Sequence, residues 1–416
     1  MLIDFSVGNF RSIKDIQSLN MTAANITSKY KEVDTQNLFT VNERWTLLKT
    51  KAIYGANASG KSNIIRAIVA FISIVNSSVK DDSLLPLWIE NFGLSSDCDE
   101  KPTYFQLMFL IDGVFYRYGF ETTNSEITTE WLFGTPGKKE VQFYLRQGEE
   151  ITINERHFHE GVKLKGLARK NSLFLTVVKS LNGAVAGRIF DFITNITVVS
   201  GLSDRVTYSY AISSLENEVL RRKMVNMLKI ADIGIEDIQR IEMPSEDLEN
   251  EEKLKKSKFV IGSAHKKFNV EKNKLELIGF VFSDAESEGS KKMFEISPLI
   301  IRSLENGTPF IMDEFDARFH PLLSKKLVEL FNSDANSKNA QLIFVTHDTN
   351  LLDAHLLRRD QISFVEKDKM GASHVYSLAE FKGVRNDASF EKDYIKGKYG
   401  AVPFLGDFES ILEEHA

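Results

Sequence analysis

Residues 55–62 read Gly-Ala-Asn-Ala-Ser-Gly-Lys-Ser and match the pattern G-x-x-x-x-G-K-[ST], in which a loop cradles phosphate groups. An apolar run at 52–54 precedes the loop, and isoleucines at helical spacing follow it, so the loop joins a predicted strand to a predicted helix. The glycines allow close approach of an anion, and the helix N-terminus supplies partial positive charge. The motif therefore predicts binding of a nucleoside triphosphate.

The residues of this loop have separate expected roles. Lys61 is expected to reach the β- and γ-phosphates, and the Ser62 hydroxyl to complete the coordination of Mg²⁺. The rest of the predicted nucleotide site within the loop consists of Gly55, Asn57, Ser59 and Gly60. The alternative is an ordinary glycine turn before a helix, and the flanking strand and helix patterns favour the phosphate loop.

Two adjacent carboxylates end an apolar strand predicted over 309–313. In phosphoryl transfer, Asp313 would orient Mg²⁺ and Glu314 would polarise the water that attacks the γ-phosphate. The alternative is that both residues cap the next element, and the phosphate loop upstream makes this alternative less favourable.

A second apolar strand, predicted over 341–346, ends at His347. A histidine at the same sheet edge can hydrogen-bond the γ-phosphate or the attacking water, although a histidine taken alone is more often a solvated surface residue. Its position after a strand favours the functional interpretation.

A third polar cluster, Ser287-Glu288-Gly289-Ser290, precedes a helix predicted over 290–305. Serine and glycine at a helix N-terminus can form an anion site in the same way as the phosphate loop, through backbone N–H groups and the positive end of the helix. The pattern alone is more typical of a helix cap, and it gains meaning from its place just upstream of the acidic strand.

Composition limits the classes of function. The chain has 416 residues, 43% of them hydrophobic, and a net charge of −6, so a globally basic nucleic-acid coat is excluded and any DNA contact would be local. The single cysteine, Cys98, fits a reducing compartment. No apolar run approaches the ~18 residues of a membrane span, so we expect a cytoplasmic protein with no membrane partner.

The element pattern predicts an α/β fold in which a mostly parallel sheet is split along the chain. Residues 1–85 form the first part of the core, 86–160 an antiparallel β lobe around the hairpin dipeptide Asp112-Gly113, 161–257 a charged helical insert, and 258–416 the second part of the core. Near the N-terminus, strands are expected over 2–8 and 10–16, and further helices over 321–331 and 349–357.

The order of these motifs resembles the ATPase head shared by ABC-type, structural-maintenance-of-chromosomes, Rad50 and RecF proteins. The carrying segments are GANASGKS, ESEGSKK, FIMDEFDARFHP, FVTHD and the opening VGNFRSIKD. The whole chain is most similar to the AAA15/AAA21-type ATPases of bacterial defence, of the RloA and abortive-infection AbiL kind. The fold implied is a P-loop NTPase of ABC/SMC-head type.

The resemblance implies roles for particular residues. Ser287 and Gly289 would act in trans on the nucleotide of a second copy, so that two heads close over two ATP molecules. Asp316 would belong to the interface loop, His347 would be the switch histidine, and Arg11 would approach the nucleotide. A glutamine that senses Mg²⁺ in many such heads is not located; Gln106 lies in the β lobe and is left out of the site.

Partners follow from the same resemblance. It implies a homodimer or higher homo-oligomer, ATP and Mg²⁺ as ligands, and a separately encoded nuclease-like effector that acts in phage defence. One alternative is a RecF-like DNA-binding repair ATPase, for which local lysine and arginine groups exist although the net charge does not support it. Another is a nucleotide-held scaffold that hydrolyses ATP very slowly.

Overall fold

The computed structural model describes residues 1–80, 85–202, 205–231, 234–242, 259–384 and 389–403. Within these ranges the strands are β1 Leu2–Gly8, β2 Gln17–Asn20, β3 Leu38–Val41, β4 Trp45–Leu48, β5 Thr50–Tyr54, β6 Thr103–Ile111, β7 Val114–Thr122, β8 Ile127–Thr135, β9 Val141–Gln147, β10 Glu150–Ile153, β11 Thr197–Ser200, β12 Asp237–Glu242, β13 Phe259–Asn269, β14 Lys274–Val281, β15 Phe310–Asp313, β16 Leu342–Val345, β17 Ile362–Lys367 and β18 Ser373–Ser377.

The α-helices of the same ranges are α1 Lys31–Gln36, α2 Lys61–Ser77, α3 Leu85–Trp88, α4 Phe174–Ser180, α5 Ala184–Thr194, α6 Arg205–Ser214, α7 Glu218–Ile230, α8 Phe282–Ala285, α9 Glu288–Asn306, α10 Pro321–Asn332 and α11 Phe390–Ile395. Short 3-10 helices cover Ser96–Cys98, His159–Leu167, Thr349–Leu351, Arg359–Gln361 and Leu378–Glu380.

Two large sheets organise the described residues. One is antiparallel and has the order β10-β9-β8-β7-β6-β1-β2. The other has the order β11-β15-β16-β5-β17-β18; it is parallel from β11 to β17, and β18 pairs antiparallel with β17. Parallel strands joined by helices give the α/β class that the sequence predicts.

Helix α2 lies between the two sheets and is apolar on nearly all sides. The Phe71 ring of α2 stacks on Phe120 of the antiparallel sheet, with the ring centroids 5.5 Å apart. It also contacts Phe5 of the same sheet, edge to face, at a centroid distance of 5.9 Å. Ile311 and Ile343 of the parallel sheet belong to the same buried cluster. The helix that follows the phosphate loop is therefore held by packing from both sheets.

The opposite face of the parallel sheet carries a second core. Side chains alternate along each strand, so Met312 and Phe344 face this side while Ile311 and Ile343 face α2. Helices α7, α9, α10 and α11 contribute to this second core. Covering both faces explains why the strands are uniformly apolar.

Several predicted elements are confirmed. The antiparallel strands predicted around Asp112-Gly113 are β6–β10, and the turn between β6 and β7 has φ of 50° at Asp112 and 77° at Gly113, as an Asp-Gly hairpin requires. Strand 2–8 is β1, and helices 290–305 and 321–331 are α9 and α10.

Other predictions are wrong. Residues 10–16 do not form a strand, because the chain turns over residues 9–14, where Asn9 and Arg11 have φ of 49° and Phe10 bridges to Ile13. Helix 349–357 is reduced to the 3-10 helix Thr349–Leu351, because the Asp353 side chain accepts the His355 N–H at 2.9 Å and forms a local turn instead.

The prediction of a helical insert over 161–257 is also wrong in part. Strand β11 lies inside this range and pairs in parallel with β15, and α5 packs on α2 in the first core. The β lobe over 86–160 likewise shares one sheet with β1, because β6 pairs with β1. The charged segment 245–256 lies outside the described residues.

Candidate active site

The phosphate loop connects the end of β5 to the start of α2, as the sequence predicts. Gly60 has φ of 107°, and a Cβ there would lie 2.1 Å from Ser373 Oγ. A Cβ on Gly55 would lie 2.4 Å from the Val365 carbonyl oxygen. Both glycines are therefore required by space, and Gly60 also by backbone conformation.

Lys61 is buried, and its ammonium group donates to the carbonyl oxygens of Gly55 and Ala56, each at 2.8 Å. Burial lowers the pKa of Lys61 to about 8, and the carboxylates of Asp313 and Asp316 oppose this shift. The two carbonyl oxygens that accept from Lys61 carry no net charge, so an anion beside the ammonium group is favoured.

A second feature of the loop also fits a phosphate. The Ser59 hydroxyl oxygen is buried and has no hydrogen-bond partner within the described part of the chain. Buried polar atoms are normally hydrogen-bonded, so an orphan at this position marks a place for a ligand oxygen. Asn57 is exposed at the tip of the loop, and Ser62 is half-buried in the first turn of α2.

The two carboxylates follow β15 directly. Asp313 is the last residue of the strand, and its Oδ1 accepts the Glu314 N–H at 3.1 Å. Glu314 has φ of 51°, in the left-handed region that residues other than glycine rarely adopt. Both side chains are half-buried, which leaves the carboxylates accessible to a ligand.

His347 follows β16 and is linked to the carboxylate loop through Asp316. The Asp316 Oδ1 accepts from Thr346 Oγ1 at 2.6 Å and from the His347 N–H at 3.0 Å. Burial and the nearby Lys61 charge lower the pKa of His347. This shift favours the neutral ring, in which one nitrogen can donate and the other can accept.

These loops meet because their strands are neighbours. Strands β15, β16 and β5 lie side by side and parallel, so the residues that follow them emerge at one sheet edge. Backbone hydrogen bonds continue past the strands, from Phe315 N to Val345 O at 2.8 Å and from Thr346 N to Ile53 O at 3.2 Å. The structure thus brings the phosphate loop, both carboxylates and His347 together.

The predicted serine–glycine cluster begins α9. Ser287 is the N-cap, and its hydroxyl oxygen accepts the Ser290 N–H at 3.1 Å. Ser287 and Glu288 are exposed, whereas Ser290 is buried. Glu288 pairs with Arg318 at 2.6 Å, and a Cβ on Gly289 would lie 2.7 Å from the Arg318 carbonyl oxygen. The cluster therefore contacts the loop after the carboxylates and presents its first residues to solvent.

Arg11 lies in the turn between β1 and β2. Its guanidinium pairs with Glu90 at 2.8 Å, and its N–H donates to the Glu90 carbonyl oxygen. The adjacent Ser12 hydroxyl is the group of this turn that contacts the phosphate-loop region, through Asn63 at 2.7 Å. Gln106 is engaged with Trp131 in the antiparallel sheet, at 3.3 Å.

Sequence reasoning missed three residues that shape this site. Gly201, after β11, faces the Glu314 carbonyl oxygen, and Ser12 and Ser373 contact the phosphate loop. No sequence pattern identified them, because each acts on residues far away along the chain. Their effect depends on strand pairings that a single sequence does not reveal.

The donor set fits Mg²⁺ as well as a phosphate chain. The Ser62 hydroxyl and the Asp313 carboxylate are the hard oxygen ligands that Mg²⁺ prefers, and this ion takes its remaining ligands from phosphate and water. When bound, the metal would supply positive charge to the phosphate oxygens.

The chain matches one protein-family model and is similar to a solved structure. A family model described as "AAA domain, putative AbiEii toxin, Type IV TA system" matches residues 52–353, a range that contains every predicted site residue except Arg11. Among solved structures, the SMC head domain from Thermotoga maritima is similar with 14% sequence identity and a TM-score of 0.43, covering 90% of this chain and 98% of that chain. A comparison with curated proteins found no match. No helix of the described ranges has the length and apolar character needed to cross a bilayer.

Proposed function

Because the chain belongs to the AAA domain family that matches residues 52–353, we propose that it is an ATP-hydrolysing switch whose heads dimerise on ATP and signal to a separate effector in phage defence. The observation that carries the proposal is the meeting of Lys61, Glu314 and His347 at one sheet edge, with the Ser287–Ser290 cluster capping a nearby helix.

The chemistry follows from the residues present. Lys61 and the loop N–H groups would hold the β- and γ-phosphates, and Asp313 with Ser62 would hold Mg²⁺. Glu314 would accept a proton from the attacking water, and the neutral His347 ring would orient that water or the γ-phosphate. Binding alone would require only the phosphate loop, so the carboxylate and the histidine are what favour hydrolysis.

Head-to-head dimerisation is supported by the exposure of Ser287 and Glu288. The N–H groups of the first turn of α9 lie at the positive end of a 19-residue helix, which favours an anion there. In the proposed dimer this end would meet the γ-phosphate held by the partner's phosphate loop.

Complementation between two inactive variants tests this arrangement. Lys61→Ala should remove nucleotide binding, and Ser287→Arg should block the trans contact while leaving nucleotide binding intact. Mixed in equal amounts, the variants should form heterodimers with one complete site, and about one quarter of the wild-type sites should be restored. No recovery of ATPase activity would refute donation in trans, and normal ATP binding by Lys61→Ala would refute the nucleotide site itself.

Glu314→Gln tests catalysis. The variant should bind ATP, hydrolyse it at least about 100-fold more slowly, and accumulate as an ATP-bound dimer in light scattering. Glu150→Gln, an exposed carboxylate in β10, is the matched control and should behave as wild type. Wild-type turnover by Glu314→Gln would contradict the assigned general base.

The same variant, Glu314→Gln, tests whether a separate effector binds. Purified with its native neighbouring genes, Glu314→Gln should retain a nuclease-like chain whose binding depends on ATP. Association that is identical with ATP, with ADP and without nucleotide would contradict a switch. The DNA-repair alternative gains little support from the described basic residues, because Arg221, Lys223 and Lys266 pair with Asp237, Glu305 and Glu236.

A further inference from the structure

Three segments distant in the sequence meet behind the phosphate loop: the turn over 9–14, the loop itself and the start of β18. The Ser373 hydroxyl donates to the Ser59 carbonyl oxygen at 2.6 Å and lies 2.8 Å from the Ser12 hydroxyl oxygen. Asn63 of α2 donates to the same Ser12 oxygen at 2.7 Å. The backbone closes the contact, because the Ser373 N–H donates to the Ser12 carbonyl oxygen at 2.7 Å.

The two hydroxyls lie directly against Gly60 of the loop. Ser373 is 1% exposed, and a Cβ on Gly60 would lie 2.1 Å from its hydroxyl oxygen and 2.6 Å from that of Ser12. The space that a side chain at position 60 would need is thus occupied by two serine hydroxyls. Position 60 therefore requires glycine for two reasons, the space taken by the hydroxyls and the positive φ.

The hydrogen bond from Ser373 fixes one peptide plane of the loop. In a trans peptide the C=O and the following N–H point in opposite directions. Since the Ser59 carbonyl oxygen is held by Ser373, the Gly60 N–H is directed to the opposite side. The N–H groups of this loop are the ones that cradle phosphates.

We propose that Ser373 and Ser12 are positioning residues that orient the Ser59–Gly60 peptide for the nucleotide and so set nucleotide affinity. This inference rests on the proposed function of the same site. It adds a regulatory consequence: phosphate binding depends on how the 9–14 turn and β18 are seated against the loop.

The 9–14 turn is itself hydrogen-bonded to residues 95–101, the segment that precedes β6. The Asn9 side chain donates to the carbonyl oxygens of Cys98 and Lys101 at 3.0 and 2.8 Å, and Lys14 donates to Ser95 at 2.9 Å. A displacement of residues 95–101 by a partner would reach the phosphate loop through Ser12. Under this proposal, a movement of that segment would change nucleotide affinity, and nucleotide binding would act back on the segment to the same extent.

Nucleotide affinity of hydroxyl-deletion variants tests the inference. Ser373→Ala and Ser12→Ala should each raise the Kd for ATP and for ADP about 3- to 10-fold, the loss expected for one hydrogen bond. ADP should be affected as much as ATP, because the peptide lies in the loop rather than at the γ-phosphate. The double variant should lose less than the product of the two single losses, because both hydroxyls act on one peptide.

The control is Ser324→Ala, since Ser324 is a buried serine of α10 whose hydroxyl has no partner within the described ranges. It should leave both Kd values unchanged. A purely structural role would lower the Tm of nucleotide-free Ser373→Ala and leave its Kd at the wild-type value, and that result would overturn the inference. Ser12→Ala decides the question if Ser373→Ala does not fold.

These variants distinguish failure of the proposed function from failure of the positioning role. If Lys61→Ala still binds nucleotide, the proposed function fails. If Lys61→Ala loses binding while Ser373→Ala and Ser12→Ala bind as wild type, the positioning role alone fails.

Discussion

Gly201→Ala should lower ATPase turnover, although Gly201 itself takes no part in the reaction. Gly201 follows β11, and its N–H donates to the Asp313 carbonyl oxygen at 2.7 Å. A Cβ at this position would lie 1.8 Å from the Glu314 carbonyl oxygen, and real Cβ atoms essentially never come within 3.0 Å of another atom. The Glu314 peptide would have to move by about 1.2 Å, the difference between these two distances.

A displacement of this size has a calculable cost. Misplacing a reacting group by 1 Å lowers turnover by roughly 100-fold, and overpacking a tight contact destabilises the fold by about 1–3 kcal/mol. Glu314 cannot absorb the shift easily because its φ of 51° already lies in a narrow allowed region. The Kd for ATP should stay near the wild-type value, because Lys61 and the phosphate loop follow a different strand.

Steady-state ATPase assays with a separate measurement of ATP affinity check this prediction. Gly187→Ala is the matched control: Gly187 lies in α5 with open space around its Cβ position, so alanine should stabilise the helix by about 0.5–1 kcal/mol and leave turnover unchanged. A wild-type kcat for folded Gly201→Ala would refute the reasoning. So would an equal loss of binding and turnover.

Two further predictions concern pH and stability. Burial lowers the pKa of Lys61 to about 8, and a bound phosphate favours the charged form, so ATP binding should take up protons above pH 8 and weaken as the pH rises. Calorimetry at pH 8.5 in two buffers should show an uptake of roughly three quarters of a proton, and identical heats would contradict it. Glu130 is fully buried and accepts from Tyr144 at 2.7 Å and from the N–H of Phe174 at 2.6 Å. Glu130→Ala should therefore lower the free energy of unfolding by about 3–5 kcal/mol in urea titrations, and a change under 1 kcal/mol would contradict this.

The local motifs were predictable because their geometry is encoded within a few residues. The phosphate loop needs a strand, two glycines and a helix start, and all are contiguous at 52–64. The carboxylates and His347 could be placed at one edge because each ends an apolar strand, and parallel strands end together. Hydrophobic periodicity and the turn-forming residues were sufficient to predict these elements.

The remaining features depend on pairings across long stretches of chain. Strand β11 has four residues and lies among helices, so its sequence gave no sign that it pairs with β15, more than 100 residues later. Ser12 and Ser373 are 361 residues apart, and their contact exists only once both sheets are formed. The turn over 9–14 was missed because left-handed φ at Arg11 is stabilised by contacts outside the turn, such as the Glu90 carbonyl oxygen.

The left-handed backbone at Glu314 bears on how its substitution should be read. Such a conformation costs about 1–3 kcal/mol and persists only where neighbours over-determine it. Here the buried Phe315 is fixed by the Val345 carbonyl oxygen at 2.8 Å and packs on Phe344 with ring centroids 4.6 Å apart. Glutamine has the same Cβ and nearly the same shape as glutamate, so Glu314→Gln leaves this backbone cost unchanged. A loss of turnover in that variant therefore reports the missing carboxylate charge, whereas a loss in Gly201→Ala reports its position.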